Sequence, residues 1–85
     1  MIWQFEVTDT FGGETNYSWV KRAWTKRDLT ERQAVRLAKR WAEWSGLKCD
    51  RTTTDDGCEL RPRGACMVMF VVSEPLESGV GVELN

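Results

Sequence analysis

Hydrophobic and polar side chains alternate along the first residues of the chain. Trp3, Phe5 and Val7 fall on one side, and the polar residues between them fall on the other. A period of two is typical of a strand with one buried face. The two glycines within residues 11–16 indicate a turn. Residues 17–24 then predict a second strand that returns as a hairpin near an edge of the sheet.

The pattern changes to that of an amphipathic helix between Thr30 and Ser45. Thr30 is a favourable N-cap, and Gln33 three residues later completes a capping box. Gly46 occupies the position in which a left-handed C′ residue is expected. One side of the helix is predominantly apolar and is predicted to face the core; it comprises Ala34, Leu37, Ala38, Trp41 and Ser45.

Three more strands are predicted after the helix. Residues 47–53 and 58–61 flank an Asp-Asp-Gly sequence that favours a hairpin turn. The continuous apolar run at residues 65–72 indicates a central strand that is covered on both faces. Beyond Ser73 the chain carries acidic residues and no basic residue. Residues 74–85 are therefore predicted to be a flexible acidic tail, or a strand that forms only against a partner.

These elements predict one α+β domain at residues 1–73. An amphipathic helix would pack on a small antiparallel sheet in the order β-β-α-β-β-β. Eighty-five residues leave no room for a second core. The chain has no signal-peptide pattern and no apolar stretch near the roughly 20 residues that span a bilayer. We expect a domain that works in the cytoplasm, away from membranes.

The composition argues against the commonest catalytic and metal sites. The chain contains no histidine, so the usual general base and the usual partner of a serine or cysteine nucleophile are missing. Cys49, Cys58 and Cys66 have neither a zinc-site spacing nor the even number of a disulfide framework. We expect free and mostly buried cysteines, no metal, no cofactor and no enzymatic activity.

The distribution of charge points to a binding surface. The formal net charge is −1, but residues 21–40 carry eight basic and two acidic residues, a net of +6. Aromatic residues among cations occur on nucleic-acid surfaces and in protein interfaces. A solvated helix face without a partner is the remaining alternative. The predicted partner-binding residues are Lys21, Arg22, Trp24, Lys26, Arg27, Arg32, Arg36, Lys39 and Arg40.

The segment from Asp9 to Arg22 reads DTFGGETNYSWVKR and resembles a stretch that recurs in small bacteriophage and prophage proteins. The resemblance is weaker through the basic helix and the Arg-Pro-Arg-Gly turn to Val72. It implies a phage origin with no known enzymatic activity or cofactor, and it assigns no roles to residues. Small phage proteins often inhibit host defence systems, and anti-CRISPR proteins are the prominent class.

Two functional hypotheses follow, and an enzyme or thiol-dependent protein centred on the cysteines ranks last. The leading one is a phage-encoded, non-catalytic protein that inhibits a host defence complex, such as a CRISPR–Cas effector, by occupying a functional surface in the host cytoplasm. The alternative is a small phage protein that binds nucleic acid through the basic and aromatic residues at 21–40.

Overall fold

The computed structural model describes all 85 residues and shows one α-helix on one face of a six-stranded sheet. The α+β class and the order of the first six elements are confirmed. The strands are β1 (Ile2–Asp9), β2 (Val20–Thr25), β3 (Cys49–Thr54), β4 (Gly57–Pro62), β5 (Met67–Glu74) and β6 (Val82–Glu83), and the helix α1 is Glu31–Trp41. A 3-10 turn, Leu76–Ser78, precedes β6. Across the sheet the strands follow the order β3-β4-β5-β1-β2-β6.

The sheet is mixed, so the prediction of an antiparallel sheet was wrong. Strands β1 to β5 pair antiparallel, whereas β6 runs parallel to β2. In that parallel pair Ala23 lies next to Val82 and Trp24 lies next to Glu83. A strand of two residues preceded by a glycine shows no alternation, and its pairing therefore could not be predicted from the pattern of the sequence.

The core lies between α1 and the sheet. Ala34 and Ala38 have no exposed surface, and their small side chains let the helix lie close to the strands, as predicted. The Phe5 and Trp41 rings pack at a centroid distance of 6.3 Å. The ten buried residues of this core are Phe5, Val7, Ala23, Ala34, Ala38, Trp44, Cys58, Leu60, Met69 and Val71.

The helix begins where the sequence predicts and ends earlier. The Thr30 hydroxyl accepts a hydrogen bond from the Gln33 backbone N–H, and the Gln33 side chain accepts one from the Thr30 N–H. This capping box fixes the start of α1. The last helical residue is Trp41 and not Ser45.

Glu43 ends the helix in place of the predicted Gly46. Its φ of +62° places it in the left-handed region. Its N–H donates to the Arg40 carbonyl, and the Trp44 N–H donates to the Lys39 carbonyl. These two bonds form a Schellman motif with a glutamate at the position that glycine usually occupies. Because the chain turns at Glu43, Trp44 folds back into the core, where it is only 4% exposed.

In the structure, residues 74–85 lie against the chain's own sheet through β6. Gln4, a buried residue of β1, holds this segment. Its side-chain amide donates to the Ala23 carbonyl at 3.0 Å and to the Val80 carbonyl at 2.9 Å, and its carbonyl accepts from the Val80 N–H at 2.9 Å. A buried amide with these partners is well satisfied, so Gln4 links β2 and the C-terminal segment through β1.

The three cysteines are free, and they differ in exposure. Cys58 is buried, Cys49 is half-buried and Cys66 is exposed. The expectation of mostly buried cysteines therefore holds fully only for Cys58, whose burial raises the pKa of its thiol. Neither helical segment combines the length and the apolar composition needed to cross a membrane.

Candidate partner-binding surface

Five cations lie along the solvent side of α1 and the loop before it. We call them the basic helix patch: Arg27, Arg32, Arg36, Lys39 and Arg40. Arg27, Arg36 and Arg40 line a shallow groove of about 170 Å³. Arg32, Arg36 and Lys39 line a second groove of about 250 Å³. Because Arg36 lines both grooves, it is the central residue of the patch.

The helical repeat explains why these side chains share one surface. Arg32, Arg36 and Arg40 are spaced by four residues, which places them on the same face of a helix. The small residues Ala34 and Ala38 face the sheet. The same amphipathic pattern that buries one side of α1 therefore collects the cations on the other.

No aspartate or glutamate side chain lies within 4.0 Å of a cation of the basic helix patch. Lys39 and Arg27 donate only to main-chain oxygens, those of Leu47 and Asn85 respectively. Five cations elsewhere in the chain do form ion pairs: Arg22 with Glu6, Lys26 with Glu83, Arg51 with Glu31, Arg61 with Glu59 and Arg63 with Asp50. The patch therefore keeps a positive surface that the chain does not neutralise.

Two predicted binding residues of β2 lie away from the patch. Arg22 and Trp24 point to the face of the sheet opposite α1, because Ala23 between them is in the core. Arg22 is paired with Glu6 at 2.9 Å. Trp24 is half-buried, and Gly79 of the C-terminal segment packs on its indole so closely that an added Cβ would lie 2.7 Å from the ring. The aromatic side chain proposed to accompany the cations is thus held elsewhere.

Two further lysines in the predicted set are also separate from the patch. Lys26 follows β2 and lies 3.7 Å from the Glu83 carboxylate. Lys21 lies at the other end of β2, where it lines a different cavity. The structure therefore brings together five of the nine predicted residues, those on α1 and Arg27.

The cavity beside Lys21 is a pocket that the sequence patterns did not reveal. We call it the tryptophan pocket; its volume is about 150 Å³, and it is lined by Val7, Trp19, Lys21, Trp41, Ala42, Glu43, Trp44 and Met67. A cavity of this size can hold a group as large as a benzene ring. It exists because the chain turns at Glu43 and brings Trp44 back beside Trp41, whereas the sequence predicted a helix that continues to Ser45. Trp19 is 40% exposed at its rim.

The carboxylate with the most strongly shifted pKa in the chain has a structural role. The pKa of Asp9 is lowered to about 2, chiefly because the Asn16 side-chain amide donates to the carboxylate. Burial of the carboxylate raises its pKa, and a second hydrogen bond, from the Ser18 N–H, lowers it further. These bonds fix the β1–β2 loop. Asp9 is therefore ionised at neutral pH and is not tuned for acid–base work.

Tyr17 in the same loop has a pKa above its usual value. Its hydroxyl donates to the Glu6 carboxylate at 2.9 Å, which favours the protonated phenol. This bond ties the loop to the sheet face opposite α1. The residues with shifted pKa values lie outside the basic helix patch, so the surface chemistry of the patch is that of fixed positive charge.

No group of three or more histidine, cysteine, aspartate or glutamate side chains is arranged to hold a metal ion. No protein-family model matches the sequence, and no curated protein and no solved structure is significantly similar to it. The function is accordingly argued from the surface of the chain itself.

Proposed function

We propose that this chain is a non-catalytic binding protein that docks its basic helix patch on an acidic surface of a host protein complex. The resemblance of residues 9–22 to small phage proteins supports a phage-encoded inhibitor that occupies a functional surface of a host defence complex, such as a CRISPR–Cas effector, in the host cytoplasm. The single observation that carries the binding proposal is the basic helix patch, in which five neighbouring cations lack a carboxylate partner.

A surface cation that is already paired gains little from a new carboxylate, whereas an unpaired one gains attraction and a charge-assisted hydrogen bond. Arginine is also enriched in the residues that dominate interface energies. Apolar side chains lie between the cations in both grooves, namely Leu29, Val35 and Leu37. A partner that brings carboxylates and small apolar groups would match this surface.

Nucleic acid is the second candidate, because phosphates also match a row of unpaired cations. Sequence-tolerant binding of single strands additionally uses aromatic side chains on which bases stack. Trp24, the aromatic residue that was predicted to accompany the cations, lies on the other face of the sheet, where Gly79 packs on its indole. We therefore place the acidic protein surface first.

The proposal is tested with a variant that reverses two charges at the centre of the patch. Arg36→Glu together with Arg40→Glu should leave the melting temperature within a few degrees of that of the wild type, because both side chains are exposed and unpaired. Binding to the captured host complex should weaken by at least about 100-fold, or about 2.7 kcal/mol. The measurement is a pull-down from host lysate with mass spectrometry, followed by titration of the purified complex.

A matched control reverses two exposed and unpaired cations outside the patch, Lys21→Glu with Lys48→Glu, and changes the net charge equally. It should bind the host complex like the wild type. Equal loss in both variants would show that net charge alone matters and would contradict the patch. Submicromolar binding of generic DNA or RNA that weakens steeply with salt, and that the Arg36→Glu, Arg40→Glu variant removes, would establish the nucleic-acid function instead.

A further inference from the structure

One edge of the sheet has no neighbouring strand. β3 is the terminal strand of the sheet and pairs only with β4. Five of its six residues, from Asp50 to Thr54, are exposed. The opposite edge differs, because β6 pairs with β2 and covers it. Ala23 lies next to Val82, and the Leu84 N–H donates to the Trp24 carbonyl. The chain therefore covers one edge with its own C-terminal segment and leaves the other bare.

The hydrogen-bond alternation of the ladder identifies the free backbone groups of β3. The Arg63 N–H donates to the Lys48 carbonyl, and Asp50 lies opposite Arg61 in the same register. In an antiparallel ladder every second pair is bonded, so Asp50, Thr52 and Thr54 direct their N–H and C=O groups toward β4. The N–H and C=O groups of the residues between them point away from the sheet; these residues are Cys49, Arg51 and Thr53.

β3 carries few of the features that usually protect a bare edge. It contains no proline and no lysine, and its six residues pair one-to-one with those of β4 without a bulge. Three consecutive threonines favour an extended strand. An edge of this kind offers a template for a further strand.

We propose that β3 pairs antiparallel with β3 of a second copy of this chain, with Thr52 opposite Thr52, to form a twofold dimer. In this register Arg51 of each copy lies opposite Thr53 of the other, and both residues carry outward backbone groups. The two copies can therefore exchange four backbone hydrogen bonds. On the other face Asp50 lies opposite Thr54, so no like charges face each other directly.

The alternative registers are less favourable. The N–H and C=O groups that point outward from one β3 must face those that point outward from the other. Only registers in which one residue of the strand lies opposite its own copy meet this condition. Centring the pair on Arg51 or on Asp50 places that charge directly opposite its own copy. Centring it on Thr53 moves the bonding pairs into the turn at Asp55. Arg51 also keeps its ion pair with Glu31 in the proposed register, because that contact lies on the helix side of its own copy.

The dimer has a consequence for the basic helix patch. The twofold axis of an antiparallel strand pair is perpendicular to the sheet, so both copies of α1 lie on the same side of one twelve-stranded sheet. Two patches would then face the same direction and could bind one extended partner or two copies of it. The dimer itself does not depend on the function proposed above.

The experiment uses sedimentation of the full chain over concentrations up to roughly 0.5 mM. The expected species at high concentration has twice the monomer mass of 9.8 kDa. Thr52→Lys places like charges opposite each other across the axis and should weaken the dimer at least about fivefold. Thr54→Lys is the matched control, since it adds the same charge on the same face but opposite Asp50, and it should dimerise as well as the wild type or better.

A third variant tests the backbone directly. Thr53→Pro removes an outward N–H without removing a bond to β4, so it should remain folded by circular dichroism and be monomeric. A wild-type chain that stays monomeric throughout the concentration range would overturn the proposal. So would a dimer that Thr52→Lys and Thr54→Lys affect equally, or one that a folded Thr53→Pro variant retains.

Discussion

The cations of the basic helix patch and those of the sheet differ in whether an acidic side chain of the same chain pairs with them. On the sheet face opposite α1, Arg22 is bonded to Glu6 at 2.9 Å and Arg61 to Glu59 at 3.1 Å. On α1 the cations have no carboxylate partner. Both surfaces are rich in arginine, yet only the sheet supplies its own counter-charges.

This difference suggests that the two sets of arginines serve different ends. On the sheet, the Arg22–Glu6 pair joins β2 to β1 and the bond from Tyr17 to Glu6 ties down the loop between them, so their effect is on folding. The Arg61–Glu59 pair lies within β4. Arg32, Arg36 and Arg40 stand four residues apart on one helix face, where like charges destabilise a helix by roughly 0.2–0.5 kcal/mol per pair. Cations that repel one another along the helix and have no acidic partner within the chain are compatible with the binding role proposed for the patch.

The largest expected effect comes from breaking the charge network of the sheet. Glu6 accepts hydrogen bonds from the Tyr17 hydroxyl and from Arg22. Glu6→Ala should lower the free energy of unfolding by about 1–2 kcal/mol, because two bonds to a partly buried carboxylate are lost. Chemical denaturation measures the loss. In the same variant the pKa of Tyr17 should fall toward 10.0, which absorbance titration of the phenol detects.

The control for this change is Glu77→Ala. Glu77 is exposed and forms no ion pair, so its removal should change stability by less than about 0.5 kcal/mol. If Glu6→Ala lowered the free energy of unfolding no more than Glu77→Ala, the ion pairs of the sheet would contribute as little to folding as the helix cations. The proposed difference between the two surfaces would then be wrong.

Local chemistry made the first part of the fold predictable. The capping box of Thr30 and Gln33 identified the start of α1, and the spacing of Ala34 and Ala38 identified its buried side. The apolar run at residues 65–72 identified β5 as a central strand, and it does pair with β1 and β4 on its two sides. Each of these signals depends on residues that are neighbours in sequence.

The parts that could not be predicted depend on contacts between distant residues. Gln4 bonds to Val80 across 76 positions, and an isolated glutamine gives no sign of such a partner. The early end of α1 was hidden because Gly46 is the usual signal, while the left-handed residue is Glu43. For Trp24 only part of the signal was present: alternation along β2 places Trp24 and Ala23 on different faces of the sheet, but neither face of the strand is cleanly apolar, so the helix side could not be chosen.

A smaller change, this time an increase in the free energy of unfolding, is expected at the C-terminal end of α1. This end can be stabilised without altering the basic helix patch. Glu43 has φ +62°, a conformation that costs a residue with a side chain roughly 1 kcal/mol relative to glycine. Glu43→Gly should therefore raise the free energy of unfolding by about 0.5–1 kcal/mol, after allowance for the greater freedom of glycine in the unfolded chain. Binding to the partner of the patch should not change.

Gly46 provides the matched test of where the helix ends. It does not require a positive φ, and an added Cβ would meet nothing within 4 Å. Gly46→Ala should be neutral or slightly stabilising. If Gly46→Ala destabilised the chain and Glu43→Gly did not stabilise it, α1 would continue to Ser45 and the tryptophan pocket would not form as described.

The smallest effect tests whether the cations of the basic helix patch oppose folding. Arg36 stands four residues from both Arg32 and Arg40 and has no acidic partner, so Arg36→Gln removes two like-charge contacts and keeps a good helix former. We expect the free energy of unfolding to rise by roughly 0.4–1 kcal/mol at low salt, the sum for two such pairs. The gain should shrink in 1 M salt, where the screening length is about 3 Å.

Arg22→Gln on the sheet should change stability in the opposite direction, because it breaks the bond to Glu6. Chemical denaturation of both variants at the two salt concentrations measures these changes. If both variants were less stable than the wild type, the helix cations would stabilise the fold as those of the sheet do.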